Sequence, residues 1–77
     1  MLTNKGLWNG IDELARINHL SCSAMARLSG LDPTTFNRSK RTSKYGQPRW
    51  VSIETLAKVL NTTNTSLTDF AKYVEKE

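Results

Sequence analysis

The 77-residue chain contains one cysteine, one histidine and two prolines. Each scarcity excludes a class of protein. With Cys22 alone no intramolecular disulfide can form, and with His19 as the only imidazole a zinc site would lack its usual cluster of ligands. Both side chains are therefore read as ordinary ones, and no metal is expected. A membrane-spanning helix needs about 20 apolar residues, and no run approaches that length. The N-terminus also lacks the apolar core of a secretory signal, so a cytoplasmic protein without a membrane partner is expected. No carboxylate pair, no nucleophile beside a base and no glycine-rich phosphate loop stands out, which argues against an enzyme and against a cofactor. A single domain this short buries only about 60% of the surface its unfolded chain exposes, leaving little room for a deep pocket.

Acidic residues are scarce in one place. Of 11 Lys and Arg against 7 Asp and Glu, the stretch from residue 27 to 49 holds Arg27, Arg38, Lys40, Arg41, Lys44 and Arg49 against Asp32 alone, a net +5. The remainder nets −1, so the whole formal charge of +4 sits in the middle of the chain. A basic stripe confined to one segment is the electrostatic footprint of a polyanion's partner, the polyanion being nucleic acid or an anionic membrane surface.

Apolar spacing predicts five helices and no strand. The first covers residues 4–18, with Leu7, Ile11, Leu14 and Ala15 on one face and Trp8 widening it; Gly6 and Gly10 weaken its start. Ser21 caps a second over residues 22–29, with Met25 and Ala26 inward and Gly30 as the left-handed exit. Asp32 then caps a third, with Pro33 at its first position, where a missing N–H costs nothing. TSKYGQPRWV, residues 42–51, lacks helical period and reads as a charged loop anchored in the core by Trp50. Ser52 caps a fourth helix with Ile53, Leu56, Ala57 and Leu60 on its apolar stripe, ending at Asn61 or Asn64. Ser66 and Asp69 form a capping-box pattern that opens a fifth, with Leu67, Phe70, Ala71 and Val74 inward. Leu14, Met25, Ala26, Leu31, Phe36, Leu56, Leu60 and Phe70 are expected to converge in one core.

Two short helices joined by a Gly-containing turn describe a helix-turn-helix. SAMARLSGLDPTTFNRS resembles that motif along its length, with Ala26 at the tight helix crossing and Phe36 reaching back to lock the pair. More narrowly, ARLSGLDPTTFNRSKR, GQPRW and SIETLAKVLNTTNTSL resemble, in order and spacing, the N-terminal domain of lambda-repressor-like (XRE-type) phage repressors that carry a LexA-like self-cleaving C-terminal domain. The resemblance covers residues 11–70. It implies an all-α, compact five-helix DNA-binding domain over residues 1–77 with the helix-turn-helix at about 22–40. The self-cleaving domain would lie outside this chain, so no protease chemistry is assigned. Ser39 stands where the motif commonly has an aliphatic residue, and Leu28 where it is usually polar and outward.

The implied function is sequence-specific binding of double-stranded DNA by a bacterial or phage-encoded, nucleoid-associated repressor. It would act as a homodimer on a palindromic operator, a dimer that is weak in this domain alone. In the family's geometry the third helix presents Thr34, Asn37, Arg38 and, one turn on, Arg41 to base edges. Arginine can bond guanine O6 and N7, asparagine can bond adenine N6 and N7, and threonine can meet a thymine methyl. Ser23, Thr35, Lys40, Lys44, Tyr45 and Arg49 are assigned to phosphates, which fix register without reading sequence. The alternative is a helical protein-interaction module, such as an antirepressor or antitoxin partner, using exposed Leu28 and the basic loop.

Overall fold

A computed structural model describes residues 1–74 of the chain. Its Cα radius of gyration of 11.7 Å is close to the value of about 11 Å for a compact domain of this length. The described residues form four α-helices: α1 (Asn4–Ile17), α2 (Cys22–Leu28), α3 (Ile53–Thr62) and α4 (Leu67–Val74). Among the described residues there is no strand, only an isolated antiparallel bridge between Thr42 and Pro48.

Local chemistry sets most of the helix ends. The Thr3 hydroxyl accepts the Gly6 amide, Ser21 that of Ala24, Ser52 that of Thr55 and Ser66 that of Asp69. The Ser66–Asp69 pattern acts through its serine, while the Asp69 carboxylate pairs with Lys72 at 3.7 Å. His19, Gly30 and Asn64 take left-handed conformations in the turns after α1, α2 and α3. The turn at His19 has no glycine to announce it in the sequence.

The core gathers Leu7, Trp8, Ile11, Leu14 and Ala15 of α1, Met25 and Ala26 of α2, Phe36, Val59 and Leu60 of α3, and Phe70 of α4. Leu31 and Leu56 pack against it only partly buried. Gly10 weakens α1 in isolation but lies at its contact with α4: a Cβ there would lie 2.8 Å from Val74 Cγ2 and 3.1 Å from Phe70 Cζ. The glycine lets α4 lie directly on α1.

Three expectations need correction. The third of the five helices does not form. Residues 33–36 make a turn, Asn37 is extended (ψ 149°), and Arg38–Lys40 form one 3-10 turn. The segment is built from bonds spaced three residues apart: Thr35 N–H to Asp32, Asn37 to Thr34, Lys40 to Asn37 and Arg41 to Arg38. Asp32 does accept the Thr34 amide at 2.8 Å, as a cap would, but no α-helix follows. Trp50, expected inside, is 55% exposed; Trp8 fills the interior, and Val51 is the residue before α3 that packs against the core. Ile53, Ala57, Leu67 and Ala71 are exposed. The core is too small to cover the full apolar stripes of α3 and α4. Ile53, Leu67 and Ala71 instead line an open apolar groove of about 470 Å³ with Met1 and Leu2.

Candidate nucleic-acid interface

The basic segment folds around a single ion pair. Arg41 sends Nη1 to Asp12 Oδ2 at 2.9 Å and Nη2 to Oδ1 at 2.6 Å, a two-pronged match of guanidinium to carboxylate. The same guanidinium donates to the Phe36 carbonyl from Nε at 3.2 Å and Nη2 at 2.9 Å, and lies 4.6 Å from the Trp8 ring centroid. In an α-helix that carbonyl would accept the Lys40 amide; here Lys40 N–H goes to Asn37. Arg41 thus satisfies the group that the absent helix leaves open. Arg41 holds the Asp12 carboxyl below the usual carboxylate range chiefly through its hydrogen bonds, against desolvation that opposes the shift. Cys22 donates to Asp12 Oδ1 at 3.4 Å, and burial foremost, then this carboxylate, push its thiol up.

The expected base-reading residues therefore divide. Asn37 and Arg38 are exposed. Thr34 is exposed too, its hydroxyl donating to Asp32 at 2.5 Å. Arg41 is not on that face, because its side chain is only 13% exposed and turned onto Asp12. Its place in a cationic run gave no hint of a partner 29 residues earlier. Asp12 and Trp8, which hold it, lie in α1 with no local sequence signal that ties them to Arg41.

Among the expected phosphate-binding residues, Lys40, Lys44, Tyr45 and Arg49 are exposed, while Ser23 and Thr35 are half-buried. Thr35 spends its hydroxyl hydrogen on the Asp32 carbonyl at 2.6 Å. The loop carrying Lys44 and Tyr45 is closed by Ser43 N–H to Gln47 O at 2.8 Å, with Gly46 at φ +80°. Lys44 Nζ lies 5.1 Å from the Tyr45 ring centroid. At the loop's base the Arg49 carbonyl accepts Trp8 Nε1–H at 2.9 Å and Asn4 Nδ2–H at 2.8 Å, while Arg49 N–H donates to Arg41 O at 2.9 Å.

Carboxylates compensate charge elsewhere but hardly here. Arg16 pairs with Glu13, Lys58 with Glu54 and Lys72 with Asp69. Among the described residues Arg41 is the only cation of the 27–49 segment in an ion pair; Arg27, Arg38, Lys40, Lys44 and Arg49 have none. No group of three or more His, Cys, Asp or Glu among the described residues is arranged to hold a metal ion. None of the described helices is long and apolar enough to cross a membrane. In comparisons with known proteins the chain matches no family model, no curated protein and no solved structure.

Proposed function

We propose that this domain binds double-stranded DNA through the 33–49 segment, as the DNA-reading part of a repressor that acts as a weak homodimer on a palindromic operator. The supporting observation is exposed charge outside any ion pair: Arg38, Lys40, Lys44 and Arg49 are exposed and form no ion pair among the described residues, with Asp12 and Asp32 acting on Arg38 and Lys40 only at longer range. Such cations gain by displacing counterions from a phosphate backbone. The paired turns of residues 33–40 stand where the lambda-repressor-like pattern has a recognition helix. In this reading Thr34, Asn37 and Arg38 meet base edges, while Lys40, Lys44 and Arg49, with Ser23, Thr35 and Tyr45 beside them, meet the backbone.

The test is selection of bound duplexes from a random pool, followed by titration of the winner over a range of salt. If two protomers each neutralise about four phosphates, log K falls against log salt with a slope near −7. Salt-independent binding, or a pool that yields no preferred sequence, overturns the proposal. The alternative, a protein-interaction module, is favoured by Leu28, which is 64% exposed on α2. It predicts a protein partner whose binding Leu28→Asp abolishes while DNA affinity is absent.

A further inference from the structure

A cleft of about 330 Å³ opens between the 33–40 turns and the start of α3, lined among others by Thr35, Lys40, Arg49, Trp50, Ser52 and Thr55. Its volume is at the lower end of the range for small-ligand sites, the size of one nucleotide rather than a large cofactor. No carboxylate lines it. Two unpaired cations, Lys40 and Arg49, stand at its rim, hydroxyls lie along it, and one wall is an indole more than half exposed to water.

The backbone next to the indole is held in place. Arg49 is pinned at both backbone groups, its carbonyl by Trp8 and Asn4 and its amide by the Arg41 carbonyl. The Trp50 backbone follows directly from that fixed point, so the position from which the indole projects is set before a stacking partner arrives. A tryptophan face beside cations suits a flat, electron-poor ring joined to an anion. Five residues earlier the pattern repeats: Tyr45 is 78% exposed with Lys44 against its ring.

We propose that this cleft binds an unpaired nucleotide of a single-stranded nucleic acid, its base stacked on Trp50 and its flanking phosphates held by Lys40 and Arg49. Bases inside a duplex are covered on both faces by their neighbours and cannot stack on an indole, so this activity goes beyond the duplex reading. Tyr45 with Lys44 supplies a second stacking and phosphate position along the same loop. No hydrogen-bond pattern in the cleft selects one base, so preference among bases is weak.

The experiment is a fluorescence titration of the whole chain at low salt. Trp8 also lines the cleft, though buried, so the signal of a stacked base is the quenching that the parent shows and Trp50→Ala lacks. The probes are octathymidylate, octauridylate, an abasic deoxyribose-phosphate chain of the same length and charge, and an octaglutamate peptide. Either oligonucleotide should quench and bind at least about tenfold tighter than the abasic chain, the ratio of the two showing whether DNA or RNA is the better source. Trp50→Ala, with its thermal melt checked against the parent, should weaken the better oligonucleotide by about five- to 150-fold, the range for one lost stacked base. Arg49→Gln should weaken the oligonucleotide and the abasic chain alike. Equal affinity for abasic and base-bearing chains, comparable binding of octaglutamate, or undiminished binding by Trp50→Ala overturns the proposal. None of these outcomes bears on the duplex selection, which makes no use of Trp50.

Discussion

Arg41 keeps only 13% of its side chain in contact with water, and a guanidinium so far removed needs its N–H groups matched. Asp12 and the Phe36 carbonyl provide the match. Because the folded Asp12 carboxyl titrates below its unfolded value of 3.8, its contribution is complete above that value. It is lost as pH falls through 3.8 toward the folded value. Asp12→Asn should therefore flatten the acid limb of a stability-versus-pH curve below about pH 5. At neutral pH it should cost on the order of 2 kcal/mol, between the values for exposed and fully buried pairs. Urea titrations from pH 3 to 7 would show it, and an unchanged acid limb would remove Asp12 as the anchor. Arg38, three residues earlier and exposed, is assigned the opposite task. Arg38→Ala should lose about 1–3 kcal/mol on the selected operator and relax preference at one base pair per half-site. Arg49→Ala should weaken all sequences alike and lower the salt slope by about one per protomer. Titrating both variants against single-base operator variants at two salt concentrations distinguishes the roles. Unchanged base preference in Arg38→Ala would move the reading face to Thr34 and Asn37.

Among the elements, α1 and α4 depend on one missing side chain. Alanine at position 10 would gain up to about 1 kcal/mol of helix propensity, but its Cβ would press on Val74 and Phe70. Overpacking a well-filled site costs about 1–3 kcal/mol, so Gly10→Ala should be neutral to about 2 kcal/mol destabilising. A thermal melt decides it: a rise in Tm would mean that the two helices do not meet at this glycine. The 33–40 segment shows how an element can be announced and not form. Its Asp-Pro start and inward Phe36 are local features and all are present, yet propagation of a helix requires bonds spaced by four residues. Asn37 turns extended, and the carbonyl of Phe36 finds the Arg41 side chain instead of the Lys40 amide.

For the molecule as a whole, Phe36 joins these turns to the core. It is 1% exposed, and its ring meets Trp8 edge-on with centroids 6.3 Å apart. Phe36→Ala should cost about 3–5 kcal/mol through the cavity it leaves, a large part of the total stability of so small a domain. Circular dichroism melting should show a strongly lowered or absent transition, and a normal Tm would refute the placement of Phe36. Loss of this ring would also loosen Trp8, and with it the Arg49 backbone and the basic loop.

Spacing and capping chemistry determined α1, α2, α3 and α4, the left-handed exit at Gly30, and six of the eight expected core residues, because each depends on groups within a few positions of one another; they left the exit of α3 open between Asn61 and Asn64, and the fold placed it at Asn64. The concentration of positive charge is likewise a property of composition. Tertiary structure decided the rest. Which tryptophan went inside depended on competition between Trp8 and Trp50 for one interior, and which faces of α3 and α4 were buried depended on how much surface a small core can cover. Where the Phe36 carbonyl found a donor once 33–40 was not a helix depended on Arg41, itself held by a carboxylate 29 positions away, a distance across which no local periodicity carries information.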